Sequence, residues 1–198
     1  MKTAAAAGLF ALVAIIGTGM GAAAAWVFTG DPPGRDGVGP GVWRTNTKGV
    51  GDASAGLLQR AVIARVGLWA LPPSEVIYFR AETDDGGRPL TRNCVYALDG
   101  KGELPTRWWS IALYRDYFWV DNPDDRYSYS KTTVSRTADG SWRILVSSTP
   151  QAGNWLPMGA TDGRFTLPLR MYQPDPSVAR DPRSVPLPTV RRISCAKS

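Results

Sequence analysis

Histidine is absent from the 198-residue chain. Without imidazole, the protein cannot form a Ser-His-Asp or Cys-His catalytic arrangement and lacks the side chain that most often acts as a general base near neutral pH. It also lacks the usual nitrogen ligands of zinc, copper and non-haem iron. We therefore predict no metal site and no cofactor, and we assign no catalytic residue from the sequence.

Cysteine is scarce, with only Cys94 and Cys195 in the chain. Two cysteines are too few to hold a metal alone, and these two are too far apart for a C-x-x-C motif. In an oxidising compartment we expect them to form one disulfide that closes a loop of about 100 residues. The alternative interpretation is a pair of buried, unpaired thiols.

Basic clusters are lacking, although the formal net charge is +6. The longest basic run is the pair Arg191-Arg192. Proteins that bind nucleic acid usually carry a basic stripe that neutralises several neighbouring phosphates. A modest and scattered excess of arginine fits a solvated surface better, so we predict no nucleic-acid partner.

Charge is also missing from residues 4–28, a long apolar run. A helix of about 20 residues crosses the bilayer core. Lys2 precedes the run, which predicts a cytoplasmic N-terminus and places the rest of the chain outside the cytoplasm. We expect residues 1–28 to be an anchor in a bacterial inner membrane, with the domain in the periplasm.

A cleaved signal peptide is the alternative interpretation of this run. Small residues end at Ala25, where cleavage would release the domain into the periplasm. Residues 29–42 follow and are rich in glycine and proline, which predicts a linker. Residues 43–198 remain for one domain, a length sufficient to bury a hydrophobic core.

One amphipathic helix is predicted at residues 53–66. Leu58, Val62 and Val66 recur at a spacing of four, and Asp52 is a candidate N-cap. We expect this helix to lie against a face of a sheet.

Alternating apolar and polar residues then predict strands separated by turn-forming residues at 75–81, 92–98, 107–115, 141–147 and 164–172. Pro168 cannot donate to a ladder, so we expect the last strand to lie at a sheet edge or to be bulged. The proline-rich tail beyond residue 172 predicts a surface strap that Cys195 ties to the sheet through Cys94. Together these patterns predict a mostly β fold, an antiparallel β-sandwich or jelly-roll-like domain with one accessory helix.

An ordered set of motifs lies between residues 108 and 174. They are Trp108-Trp109-Ser110, Asp121-Asn122-Pro123, Arg126-Tyr127-Ser128, Asn154-Trp155-Leu156-Pro157 and Leu169-Arg170-Met171-Tyr172. The set resembles the domain of unknown function 1214 family over about residues 50–192. The resemblance implies a jelly-roll-like domain without an established activity. In longer members a domain of unknown function 1254 precedes it, whereas here we expect a membrane segment in that place.

The acidic segment at residues 121–126 offers the first candidate site. One interpretation is a binding loop that uses Asn122, Arg126 and Tyr127, a loop of oxygen ligands for a hard cation, or a general acid/base pair in which Glu103 supplies the second carboxylate. The other is a turn, because Asn-Pro-Asp-Asp is strong turn chemistry, with Arg126 paired to a neighbouring aspartate.

Asn154 and Trp155 offer a second candidate, in a predicted loop. Trp155 could stack on a sugar or another flat ligand while Asn154 orients it, with Trp108, Tyr114 and Trp119 forming an aromatic face nearby. The alternative is a loop anchored in the core by its tryptophan, with the helix covering Trp108 and Tyr114.

These observations favour a membrane-anchored extracytoplasmic module that binds a ligand or associates with the cell envelope without catalysis. Its expected partners are the inner membrane through residues 4–28, a small-molecule or glycan ligand, or another envelope protein. The alternative is a carboxylate-dependent enzyme that acts on a glycan.

Overall fold

The computed structural model of the chain describes residues 2–30, 37–47, 51, 55–65, 70–115, 118–160 and 162–196. Helix α1, Lys2–Phe28, contains the stretch Ala6–Phe28, which is long and apolar enough to cross a membrane. The side chains of that stretch are exposed. An apolar helix outside the core has the character of a membrane anchor or a signal sequence.

The rest of the described chain is mostly strand. Its strands are β1 (Val76–Ala81), β2 (Cys94–Lys101), β3 (Thr106–Ala112), β4 (Tyr114–Arg115), β5 (Phe118–Trp119), β6 (Ser128–Ser130), β7 (Ser141–Ser147), β8 (Asn154–Pro157), β9 (Leu167–Pro174) and β10 (Thr189–Cys195). Its helices are α2 (Leu57–Arg65), α3 (Pro176–Arg180) and the 3-10 helix Pro182–Ser184. The predicted mostly β class is confirmed.

The strands form two four-stranded sheets and one small hairpin. The first sheet has the order β1-β9-β3-β6, the second has the order β10-β2-β7-β8, and β4 pairs with β5. Strands that follow each other in the chain often belong to different sheets, as β2 and β3 do. The chain therefore crosses repeatedly between the two layers, and most strand pairs join distant parts of the sequence.

The core lies between the two sheets and follows the predicted alternation. Leu167, Leu169 and Met171 of β9 point inward and are buried. Trp109 of the first sheet stacks on Trp142 of the second, with ring centroids 5.0 Å apart. Contact between apolar side chains from both inner faces is the packing expected of a β-sandwich.

Glycine is required beside this tryptophan pair. Gly100 is the register partner of Trp142 in the second sheet. A Cβ atom on Gly100 would come within 2.2 Å of the Trp142 ring, much closer than carbon atoms approach in proteins. The missing side chain therefore makes room for the indole that joins the two sheets.

The prediction that Pro168 marks a sheet edge or a bulge is wrong, because β9 lies between β1 and β3 and its register with both strands does not shift at the proline. The ladder with β1 continues through the pair Arg80↔Pro168. The ladder with β3 stops at Ile111↔Leu169 and resumes only at the isolated bridge Tyr114↔Thr166. The proline thus lies at a local gap on one side of a central strand, where its missing N–H is tolerated.

The pairing of β7 with β8 is parallel, which differs from the expected antiparallel arrangement. Residues 154–157, expected to be a loop, form this short strand instead. Gly153 has a φ of +82°, which lets the chain reverse direction just before β8.

The predicted helix is present as α2, but the expectation that it packs on a sheet is wrong. None of its residues is buried, and Leu57 and Leu58 are exposed. Its contact with α1 is through Arg65, whose guanidinium lies 3.8 Å from the Trp26 ring centroid. The expected N-cap Asp52 and the last apolar position Val66 lie outside the described residues. The apolar stripe predicts the helix itself and does not select its partner surface.

Residues before position 43, the predicted start of the domain, already pair with the folded part of the chain. Val38, which falls in the predicted linker, forms a β-bridge with Thr45. The Trp43 ring is buried in the core, and its indole N–H donates to the Pro188 carbonyl at 2.7 Å. The backbone of Arg44 forms two hydrogen bonds with that of Arg80 in β1, which covers one edge of the first sheet.

The expected surface strap after residue 172 is wrong, because this segment continues β9, forms α3 and the 3-10 helix, and ends as β10 at the edge of the second sheet.

The disulfide expectation is confirmed. Cys195 lies opposite Cys94 in the β10–β2 ladder and is bonded to it across a sequence separation of 101 residues. The bond therefore fastens the last strand of the fold to a central one.

We expect the Cys94→Ser/Cys195→Ser double variant to unfold at a lower temperature than the wild type. Restoring the entropy of a loop this long costs about 4–5 kcal/mol of stability, or roughly 10 °C in Tm for a domain of this size. Thermal unfolding of the full chain in detergent, followed by tryptophan fluorescence, measures the shift. A reductant should lower the wild-type Tm and leave the variant unchanged. Equal Tm values with and without reductant would contradict this expectation.

Asp84 makes a second link to β10. Its carboxylate is 1% exposed, accepts hydrogen bonds from the N–H groups of Gly86 and Arg88 at 3.0 Å, and lies 2.6 Å from Arg192 Nε. Burial alone would raise the pKa of Asp84, but the Arg88 N–H and the charges on Arg192 and Arg88 outweigh it and lower the pKa below its usual value. The charged form is thus preferred in the folded state.

Asp84→Asn should lower the free energy of unfolding by about 1–3 kcal/mol at pH 7, because the amide keeps the turn but removes the charge facing Arg192. The folded pKa is lowered, so this stabilisation is present above the unfolded pKa of about 4 and disappears as the pH falls through the folded value. Unfolding midpoints at pH 7 and below pH 3 should therefore differ between wild type and variant only at pH 7. Asp162→Asn, whose side chain is 90% exposed, is the control. A gap that is the same at both pH values would refute the assignment.

Candidate functional site

Asn122, the first predicted site residue in the acidic segment, is buried and closes a turn. Its amide N–H donates to the carbonyl of Val120 at 3.1 Å and to that of Arg126 at 3.3 Å, while its Oδ1 accepts from the Arg126 N–H at 3.2 Å. Asp125 within this turn has a φ of +49°. The geometry supports the turn interpretation, and the amide of Asn122 is already used by the backbone.

Of the residues predicted to act with Asn122, Arg126 and Glu103 are exposed and Tyr127 is half-buried. Arg126 is exposed and lies 5.3 Å from the Tyr129 ring centroid, and no ion pair among the described residues joins it to a neighbouring aspartate. The Tyr127 hydroxyl donates to Asp125 at 3.2 Å, and this hydrogen bond raises the pKa of Tyr127. Glu103 forms ion pairs with two cations, Lys131 at 3.5 Å and Arg136 at 3.0 Å.

Asn154, the predicted orienting residue, holds two segments together at the start of β8. Its Oδ1 accepts from the Ser135 N–H at 2.8 Å, and its amide N–H groups donate to the carbonyls of Ser135 and Arg143 at 2.9 and 2.8 Å. Because three backbone groups use this buried side chain, Asn154 positions β8 beside β7.

Trp155 and Trp108 lie in different sheets. Trp155 is on β8 of the second sheet, where its indole N–H donates to Ser147 Oγ at 3.0 Å and its backbone N–H donates to the Tyr129 hydroxyl at 2.9 Å. Trp108 is on β3 of the first sheet and packs against Tyr172, with centroids 5.3 Å apart. The structure therefore separates the two predicted stacking residues. The alternative, in which the helix covers Trp108, is not supported either, because no residue of α2 is buried.

A different set of residues meets on the outer face of the first sheet. Arg170 of β9 pairs with Tyr78 of β1, and Tyr172 lies between Val76 of β1 and Trp108 of β3. Residues of one strand that are two apart share a face, and diagonal cross-strand neighbours are within reach of aromatic rings. We use the name aromatic face for Arg170 and the rings around it, which are Tyr78, Trp108, Tyr114, Trp119, Tyr127 and Tyr172.

The β4–β5 hairpin completes this face. Tyr114 pairs with Trp119, and their ring centroids are 5.2 Å apart. Trp119 in turn meets Tyr127 edge-on at 5.6 Å. Two backbone hydrogen bonds between Tyr114 and Thr166 hold the hairpin beside the sheet. A groove of about 400 Å³, lined by Trp119, Asp121 and Tyr127, opens at this end.

Arg170 lies half-buried among these rings. Its guanidinium donates to the Tyr114 hydroxyl and lies 5.3 Å from the Tyr114 centroid and 5.7 Å from the Trp119 centroid. No described carboxylate forms an ion pair with it. Burial raises the pKa of Tyr78, and Tyr172 and Tyr114 add to this rise while the charge on Arg170 opposes it. The face therefore combines the positive charge of Arg170 with phenol and indole rings.

A second groove, of about 690 Å³, lies on the second sheet beside Trp142 and Leu187. Two of the charged residues that line it, Asp99 and Arg143, are already paired, since Asp99 accepts from Arg143 at 2.5 Å and from Arg191 at 2.8 Å. Burial would raise the pKa of Asp99, but these two arginines lower it. The groove thus has no unpartnered polar group from this triad to offer a ligand.

Sequence reasoning identified Trp108, Tyr114 and Trp119 as an aromatic face and did not assign Tyr78, Arg170 or Tyr172 to it. The predicted alternation already placed Arg170 opposite the buried residues of its strand. The missing information was the pairing of β9 with β1 and β3, which brings residues 78, 108 and 172 together. In the part of the chain that the structure describes, no group of three or more acidic or cysteine residues could hold a metal ion.

The solved structures that are similar to the chain include two bacterial proteins. The VPA0106 protein from Vibrio parahaemolyticus is 22% identical and matches 71% of this chain with a TM-score of 0.57. An uncharacterized protein from Burkholderia cenocepacia is 18% identical and matches 63% of it with a TM-score of 0.39. This chain covers only 36% and 31% of those two chains. The first similarity supports the fold alone, and no curated protein matches the chain.

A family profile described as a protein of unknown function matches residues 75–176. The matched residues run from the residue before β1 to the start of α3 and include every member of the aromatic face. The match covers more than half of the chain and confirms the resemblance seen in the sequence motifs. The chain belongs to the DUF1214 family.

Proposed function

We propose that this protein is a membrane-anchored module that presents the aromatic face outside the cytoplasm and binds a ligand there without catalysis. One observation carries the proposal: Arg170 is half-buried among aromatic rings and has no ion-pair partner among the described carboxylates. Large aromatic side chains around a small number of placed polar groups are typical of binding surfaces.

The location outside the cytoplasm rests on two features. Lys2 precedes the apolar stretch Ala6–Phe28, and a positive charge on that side favours a cytoplasmic N-terminus. Cys94 and Cys195 form a disulfide, which persists in oxidising compartments and is rare in the cytoplasm. Both features support an anchor in an inner membrane with the domain on the periplasmic side.

The contacts of the acidic residues support binding rather than catalysis. A glycan hydrolase needs two carboxylates that face each other across the scissile bond. Glu103 is engaged by Lys131 and Arg136, and the segment at residues 121–126 is closed as a turn by Asn122. No described contact favours the alternative of a carboxylate-dependent glycan enzyme.

We expect a C-terminal tag on the full-length protein to be digested by protease added to bacterial spheroplasts, because the domain lies outside the cytoplasm. Immunoblotting follows the tag, and a cytoplasmic protein that stays intact is the control. The N-terminal sequence of the recovered protein should begin at or near Met1. A tag that is digested only after the inner membrane is opened would contradict the location, and a new N-terminus near Ala25 would contradict the anchor.

We also expect the full-length protein in lipid nanodiscs to sediment with insoluble bacterial cell-envelope material through the aromatic face. Trp119→Ala should reduce the sedimented fraction several-fold, because a stacked ring contributes about 1 kcal/mol or more to such contacts. Phe118→Ala is the matched control, since this neighbouring ring is 75% exposed and lies outside the cluster. Equal sedimentation of the wild type and Trp119→Ala, or no sedimentation of the wild type, would show that the face is not a binding surface.

A further inference from the structure

We infer that the aromatic face binds an acidic saccharide chain, with the carboxylate of one sugar on Arg170 and the ring of the next sugar against Trp119. The inference deepens the proposed function and rests on it, because it names the class of ligand for the same surface.

The charge on Arg170 argues for an anionic ligand. A partly buried cation has lost part of its hydration, and pairing with an anion offsets that loss. Among the described residues, only the Tyr114 hydroxyl accepts a hydrogen bond from this guanidinium. An arginine has five N–H donors on one plane, and two of them match the two oxygens of a carboxylate. The Tyr114 hydroxyl accepts from the guanidinium, and the rings of Tyr114 and Trp119 lie beside it before any ligand arrives. A carboxylate therefore fits this site, and a phosphate, which pairs with arginine in the same way, is the competing anion that the test must separate from it.

The shape of the surface argues for a chain of rings. Small molecules usually bind in concave pockets that bury most of their surface. Here the aromatic residues lie on the outer face of an open sheet, and Trp119 is 47% exposed. Along β9, the register places Tyr172 and its partner Trp108 on one side of Arg170, and Tyr78 directly opposite Arg170. The hairpin with Tyr114 and Trp119, which Tyr127 contacts, lies on the other side. An elongated ligand with several flat faces contacts more of this row than a compact one.

Asp121 limits where the acid groups can lie. Its side chain lines the groove beside Trp119 and Tyr127. A carboxylate there repels a second anion and accepts hydrogen bonds from hydroxyl groups. The sugar next to the acidic one should therefore be neutral and rich in hydroxyl groups. The arrangement fits a glycan in which acidic and neutral sugars alternate.

The test compares defined oligosaccharides on the full-length protein in nanodiscs, with binding followed by isothermal titration calorimetry. A hyaluronan hexasaccharide alternates glucuronate with N-acetylglucosamine, whereas chitohexaose has only N-acetylglucosamine and no charge. We expect the hyaluronan fragment to bind at least tenfold more tightly than chitohexaose, a factor that corresponds to about 1.4 kcal/mol. Inorganic polyphosphate is the probe for an anion without a ring.

Variants separate charge from stacking. Arg170→Gln and Trp119→Ala should each weaken binding of the hyaluronan fragment about tenfold, and Arg170→Lys should restore only part of it because an ammonium group cannot form the paired hydrogen bonds. Arg180→Gln on α3 removes the same charge from an exposed position and is the control. Circular dichroism and Tm establish that each variant is folded, and Trp119→Ala tests the site even if Arg170→Gln unfolds.

Three results would overturn the inference. Equal affinity for chitohexaose would show that the acidic group of the sugar is not recognised. Equal affinity for polyphosphate, with no effect of Trp119→Ala, would show a site for anions in general. No binding of the hyaluronan fragment would show that acidic saccharides are not the ligand. In each case the proposed function is judged separately, because it depends on whether sedimentation with envelope material requires Trp119.

Discussion

The position of β9 between β1 and β3 is the constraint on which both the core and the aromatic face depend. A strand points successive side chains to opposite faces of its sheet. Leu169 and Met171 therefore enter the space between the sheets, while Arg170 and Tyr172 point outward. Any shift of register by one residue would bury the arginine and expose the leucine, so the hydrophobic effect that stabilises the sandwich also determines which residues reach the aromatic face.

The sequence predicted the local structure because the relevant signals are local. The alternation at residues 164–172 identified a strand and its buried side, and the structure confirms both. It did not predict the neighbours of that strand, since pairing joins residues such as Tyr78 and Arg170 that are far apart in the chain. The error at Pro168 has the same origin. A proline lacks the N–H group that would donate one hydrogen bond of the ladder. Such a residue can lie beside a gap between β3 and β4 as well as at a sheet edge.

The candidate site was predicted only in part, for a reason that concerns the chemistry of the amide group. Asparagine carries a donor and an acceptor, so it can orient a ligand or close a turn, and its sequence position does not distinguish these uses. In Asn122 and Asn154 the amide is taken by backbone groups. The cysteines posed a simpler problem. With only two in the chain, the one available pairing is the one the structure contains.

The arginines on the two outer faces of the sandwich have different partners. On the second sheet, Arg143 and Arg191 both pair with the carboxylate of Asp99, so each guanidinium has an anionic partner although the three side chains together keep one positive charge. On the first sheet, the neighbours of Arg170 are tyrosines and a tryptophan, which orient the guanidinium without neutralising it. Aromatic rings attract a cation through their quadrupole, yet leave its net charge available to an anion. Arg192 of the second sheet also has a structural role, because its contact with Asp84 secures β10 together with the disulfide. Arg170 thus differs from Arg143 and Arg191 in having aromatic neighbours and no ion pair with a described carboxylate.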